Sequence, residues 1–218
     1  MSAAGGAGRR RDRAWAVAAG VVLLLFALLV ALRAAGRIPY YKSFYLPAES
    51  MAPTLLKGDG VLAVMGADLP LRRGDIVLFA VRRDTWIKRV AGLPGDRIAL
   101  KDGKVILNGR AIDQTPVGVD TVESPDGRRQ AVRLRERFPG EEGSHLVYDS
   151  GPSPEDNFPE QRVAPGHLFL LGDNRDMSAD SRVAVEEGGV EQVPVRSVTG
   201  QPLVYTWGPS HKFWQRVH

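Results

Sequence analysis

RIALKDGKVILNG, residues 97–109, sets two short apolar runs on either side of Asp102–Gly103. Asp-Gly between such runs is a hairpin signal, because a two-residue turn needs positive φ at both central positions. Upstream, VLAVM (61–65), DIVLFAV (75–81) and TWIKRVAGL (85–93) repeat the pattern of short apolar runs punctuated by Gly, Pro and Asp. Downstream, a strand is expected at HLFLLGD (167–173) and more across 193–207. The 24 Gly and 15 Pro also favour a turn-rich β body over helices. The expected fold is therefore mainly β: an antiparallel sheet body of sandwich or barrel-like type, preceded by one apolar helix.

Residues 113–165 differ from their surroundings. Stretches such as ESPDGRRQ, FPGEEGS and SGPSPEDNFPEQ are polar and rich in Pro, Gly and charge. They read as a β-ribbon or flexible subdomain inserted in the body. The expected organisation is an N-terminal tail (1–13), a transmembrane anchor (14–36), a body (37–109 and 166–218) and an insertion (110–165).

The anchor rests on AWAVAAGVVLLLFALLVAL, residues 14–32, which no charge interrupts. As a helix this run spans roughly 28 Å at about 1.5 Å per residue, close to the hydrocarbon thickness of a bilayer. A cleaved targeting segment is the rival reading, although its apolar region is usually shorter. Without a polar face, a core helix is the poorer fit. Four Arg crowd residues 9–13, whereas Arg33, Arg37 and Lys42 are spread out, so the positive-inside rule favours a cytoplasmic N-terminus and an extracytoplasmic body. With these flanks removed, residues 43–218 carry a net charge of −2, which argues against nucleic-acid binding. There is no Cys, so disulfides and thiolate metal sites are excluded.

LPAESMAPTLLKGD (46–59) places Ser50 between Pro47 and Pro53. The prolines fix φ and remove donors, so the segment reads as an extended, exposed loop rather than a helix. DTWIKRVAGLPGD (84–96) places Lys88 on the same strand face as Trp86 and Val90, with Arg89 on the other. Lys is scarce here, six against 23 Arg. Unlike Arg, Lys loses its proton when desolvated. A neutral Lys88 could take the hydroxyl proton of Ser50. The four His, at 145, 167, 211 and 218, show no pattern near Ser50, and no spaced ligand signature points to a metal or cofactor. RRGDIVLF (72–79) and GDNRDMSADSR (172–182) complete the set; the latter's Arg and Asp residues suit a charge-assisted network, and its Ser178 could accept from the Lys88 amine.

PAESMAPTL, RGDIVLF, WIKRVAGLPGD and GDNRDMSADSR together, in order and behind an anchor, closely resemble the boxes of bacterial type I signal peptidases (leader peptidases). The resemblance spans the anchor and most of 43–100 and 168–200, but not the insertion. It implies a membrane-bound serine endopeptidase that cleaves signal peptides from exported preproteins after small residues, in the Ala-x-Ala manner, with Ser50 as nucleophile and Lys88 as general base. It further implies that Ser178 holds the amine, that Asp173, Arg175, Asp180 and Arg182 brace the site, and that Phe44, Leu46, Pro47, Met51, Leu55, Trp86 and Ile87 line substrate pockets. The implied partners are preproteins and the lipid bilayer, with the secretion translocon nearby; the implied location is the bacterial inner (plasma) membrane. Two positions depart from the family pattern. Ala48 replaces the Ser or Thr whose hydroxyl helps hold the oxyanion, and Met177 replaces the commoner Asn. Two other readings share these residues: a specialised pilin-type processing peptidase, and a catalytically weakened peptide-binding relative.

Overall fold

The computed structural model describes residues 5–34, 40–66, 69–124 and 126–218. The chain divides into an N-terminal unit, Met1–Pro39, and a body, Tyr40–His218. The N-terminal unit holds α1, Gly5–Ala34. Its stretch Trp15–Ala34 is long and apolar enough to cross a membrane, with a mean hydropathy of 2.8 and none of it buried within the protein. The helix starts before the expected anchor, so the Arg-rich run 9–13 is helical rather than a separate tail; Arg and Ala are both strong helix formers. Residues 1–4 of the expected tail, and 35–36 of the expected anchor, lie outside the described residues.

The body is built from strands β1 (Tyr40–Tyr45), β2 (Gly60–Met65), β3 (Ile76–Val81), β4 (Asp84–Gly92), β5 (Arg97–Lys101), β6 (Lys104–Leu107) and β7 (Arg110–Ala111). It continues with β8 (Asp113–Ser124), β9 (Gly127–Arg137), β10 (His145–Asp149), β11 (Phe158–Arg162), β12 (His167–Leu171), β13 (Val193–Pro194) and β14 (Val198–Trp207). Among the described residues they form three sheets: β1-β2-β14-β3-β4-β12-β13, β10-β9-β8 and β11-β5-β6-β7. All the strand pairings are antiparallel. The fold is therefore mainly β with one N-terminal apolar helix, as the alternation of short apolar runs and turns implies. The Asp102–Gly103 turn has φ of 48° and 75°, the left-handed pair that a tight hairpin demands.

The continuous run Ile76–Phe79 is buried on both faces, because β3 lies inside the large sheet. One of its faces meets Val90, Leu168, Leu170 and Val198. A second cluster joins Ile98, Leu100, Val105 and Phe169 to Phe138 and Val163, and the last two come from the expected insertion. Its strand β11 also pairs with β5. Residues 110–165 thus share the core of the body instead of standing apart as a subdomain, with the ribbon β8–β9 as their longest feature. Their polar composition reflects strands with one wet face, since Leu134 and Glu136 point inward while Arg135 and Arg137 are exposed. His145, which the sequence places in that polar stretch, is buried and stacked on Phe138 at 5.2 Å.

Candidate active site

Ser50 sits in the connection from β1 to β2. This segment is a tight turn rather than the extended loop expected from its prolines: Ala52 N–H donates to the Glu49 carbonyl at 3.0 Å and Leu55 N–H to the Met51 carbonyl at 2.8 Å. The Ala52–Pro53 peptide is cis. The turn drives Met51 and Leu55 into the core with Leu46, Val61, Ile76 and Tyr205, which anchors the Ser50 segment from below.

Lys88 enters from β4, where pairing with Val77 of β3 fixes its direction. Only 4 % of it is exposed. Its Nζ donates to Ser50 Oγ at 2.9 Å and to the Ile87 carbonyl at 3.1 Å, and lies 5.6 Å from the centre of the Trp86 ring. Burial lowers its pKa from 10.5 to about 8; the carboxylates of Asp180 and Asp173 oppose the fall, and the Arg182 guanidinium adds to it. A primary amine poised near neutrality and bonded to an alcohol can act as its base.

The pair opens into a cavity of about 500 Å³ lined by Phe44, Leu46, Pro47, Ala48, Trp86 and Ile87 among others. Five of the seven expected pocket residues are therefore at the cavity wall. Met51 and Leu55 are not, being 1 % and 0 % exposed beneath it. Leu78, Met177 and Ala179 complete the apolar wall without having been expected there. Their positions depend on which strands adjoin β4 and on how the 172–182 loop folds back, neither of which is a local property of the chain.

Asp173, Arg175, Asp180 and Arg182 are all buried, and the charges of Asp173, Asp180 and Arg182 act on Lys88. Asp180 accepts from Arg182 Nε and Nη2 at 2.9 Å each. Asp173 takes Arg89 Nε at 2.8 Å and Nη2 at 2.7 Å, and Thr54 Oγ1 at 2.5 Å. Arg175 reaches Glu136 on β9 with Nη1 at 2.9 Å and Nη2 at 2.5 Å. Fork-to-carboxylate pairs of this kind fix geometry as well as charge. Burial pushes the Asp173 and Asp180 carboxyls up, yet the guanidinium of Arg89 on one and Arg182 on the other holds both below the ordinary carboxylate range.

Ser178 departs from expectation. The hydrogen bonds of the amine run to Ser50 and Ile87, while Ser178 Oγ is buried without a partner. The hydroxyl is turned onto Gly172, close enough that a Cβ there would stand 2.1 Å from it.

The chain matches the family described as "Signal peptidase, peptidase S26" over residues 16–207. It is 32 % identical over 177 residues to a signal peptidase I of Bacillus caldolyticus, covering 80 % of this chain and 81 % of that one. It is 31 % identical over 191 residues to a signal peptidase I of Rickettsia prowazekii, covering 72 % and 70 %. A solved signal peptidase I from Enterococcus faecalis aligns at 21 % identity with a TM-score of 0.35, over 61 % of this chain and 97 % of that one. This chain belongs to the signal peptidase family, peptidase S26. Signal peptidases of this family are serine endopeptidases, so the chain is a hydrolase, and the family removes signal peptides from exported preproteins.

Three residues of this signal peptidase's site escaped the sequence reading. Arg89 had a signal: strand parity sends it to the face opposite Lys88, and the β4–β12 register sets it against Leu171, two residues before Asp173. Glu136 had none, since it lies 39 positions from Arg175 in a segment outside every recognisable box. Asn174 stands inside a box, but only the folded chain places it against Ser50.

Proposed function

We propose that this chain is a membrane-bound signal peptidase in which Ser50 attacks the scissile carbonyl while Lys88 takes its proton. The observation that carries the reading is the 2.9 Å hydrogen bond between a buried, pKa-lowered amine and the serine hydroxyl, both in the wall of the cavity. Attack gives a tetrahedral oxyanion. Its collapse expels the mature protein's amine, which receives the proton from Lys88, and leaves the signal peptide as an ester on Ser50. Lys88 then draws a proton from water as the oxygen adds to the ester; collapse breaks the bond to Ser50 Oγ, which takes the proton back from Lys88, and the signal peptide leaves with a free carboxyl group. The Ile87 carbonyl holds the amine directly, the buried pairs around Asp173 and Asp180 brace the site around it, and Ser178 supports the site by packing against Gly172.

The substrate lies extended between the segments Phe44–Ala48 and Asp84–Lys88. Alternate residues of an extended chain face one side, so two side chains separated by one residue meet the same wall. A shallow apolar wall that accepts small groups at both positions reads an Ala-x-Ala signature. The span Trp15–Ala34 holds the enzyme in the plasma membrane as a single pass, and the Arg cluster at 9–13 keeps the N-terminus cytoplasmic. The body then works outside the cytoplasm, where signal peptides emerge near the translocon.

Ser50→Ala and Lys88→Arg should each abolish cleavage of a preprotein in proteoliposomes while the circular dichroism spectrum is kept. Turnover surviving in either variant would overturn the dyad.

A further inference from the structure

Asn174 has no part in the mechanism above, yet it holds the nucleophile more directly than any charged residue of its loop. Its side chain is 1 % exposed. Its backbone N–H donates to the Ser50 carbonyl at 3.1 Å, and its Nδ2 donates to the Glu49 carbonyl at 3.3 Å. One residue therefore holds the carbonyls on both sides of the nucleophile. Its Oδ1 is buried with no partner. Folding alone gives no reason to keep a half-satisfied amide where an apolar side chain would fill the space.

The consequence lies across the Glu49–Ser50 peptide. That unit is planar and trans, so the Glu49 C=O and the Ser50 N–H point in opposite directions. The carbonyl is pinned on one side by Asn174 Nδ2 and Ala52 N–H. The Ser50 N–H must then face the other way, and among the described residues no protein group accepts it. Ala48 supplies no hydroxyl, so on this segment Ser50 N–H is the donor left for a developing oxyanion. A donor aimed before reaction is worth more than one that must reorient during it.

We propose that Asn174 is the positioning residue that aims Ser50 N–H at the oxyanion by fixing the plane of the Glu49–Ser50 peptide. This rests on Ser50 being the nucleophile and adds a specific role for a neutral side chain within the brace. The test uses the full chain in detergent micelles. Ser50→Ala is measured first: turnover there would sink the dyad and this role of Asn174 with it, whereas failure of the Asn174 comparisons with Ser50→Ala inactive would overturn the Asn174 proposal alone. With Ser50→Ala inactive, Asn174→Ala should lower kcat about tenfold with KM changed less than about twofold. Affinity for a peptide boronate, which forms a tetrahedral adduct, should fall by the same factor, and affinity for an uncleavable peptide should not. Ala48→Ser, which restores a side-chain donor, should raise kcat by a larger factor in the Asn174→Ala background than in the parent. Asn174→Ser, too short to reach Glu49 but still polar, carries the same comparisons if the alanine variant does not fold. An unchanged kcat, equal loss of boronate and peptide affinity, or an equal Ala48→Ser gain in both backgrounds would overturn the proposal.

Discussion

Lys88 is charged in the unfolded chain at neutral pH and is held 4 % exposed in the folded one, where its pKa is about 8. Between pH 8 and 10.5 the unfolded state binds more protons than the folded state, so this group's contribution to stability rises with pH across that window. Below pH 8 the shift costs the fold about 3 kcal/mol. Lys88→Met should therefore be inactive but more stable than the parent by about that amount at pH 7, with the gain fading towards pH 10.5, as read by urea denaturation at several pH values. In the proposed mechanism the same ionisation governs rate. The profile of kcat/KM should climb tenfold per pH unit on its acid side and level off near pH 8, because only the neutral amine accepts the serine proton. A profile flat from pH 6 to 9 would remove Lys88 as the base.

At the scale of elements, the Ser50 turn and the 172–182 loop touch without slack. A Cβ on Gly172 would stand 2.1 Å from Ser178 Oγ and 2.6 Å from the Ser50 carbonyl. Gly172→Ala must shift one of the two segments, and displacement of a reacting group by about 1 Å costs roughly 10²-fold in rate. That loss should appear in kcat for a soluble signal-peptide substrate. The ribbon is tied to the same loop by Glu136 and Arg175. Burial pushes the Glu136 carboxyl up, but the Arg175 guanidinium and His145 outweigh it and bring the pKa to about 2, well below 4.5. The pair's contribution is complete above pH 4.5 and is lost as pH falls from there towards 2, which makes it one point where acid unfolding begins. Glu136→Gln leaves a buried guanidinium without its counter-charge and should destabilise by about 3–5 kcal/mol in denaturation experiments. Replacing both partners by Met should recover much of that loss.

On the scale of the molecule, the unit holding α1 and the body are distinct, and the body holds the whole cavity and its braces. Residues 40–218 alone should fold and cleave a soluble signal peptide at a rate near that of the full chain. Tethering matters where the substrate is itself in the bilayer, because confinement raises its effective concentration. Loss of α1 should therefore depress cleavage of a membrane-inserted preprotein far more than cleavage of the free peptide, measured side by side in proteoliposomes. Equal losses on both substrates would mean that the helix supports the fold of the body.

Some of this was written in the chain order. Uninterrupted apolar residues dictate a long apolar helix, short apolar runs cut by Asp-Gly and Pro dictate antiparallel strands, and strand parity puts Lys88 beside Trp86 and away from Arg89, since these depend on neighbours a few positions apart. Which residues are buried together was decided only by the tertiary structure. The turn that sends Met51 and Leu55 into the core, the Arg89–Asp173 and Arg175–Glu136 pairs, and the Asn174 contacts to Glu49 and Ser50 join positions tens of residues apart. The depth of Lys88 belongs with them, because an amine loses its charge only where other segments close around it and exclude water.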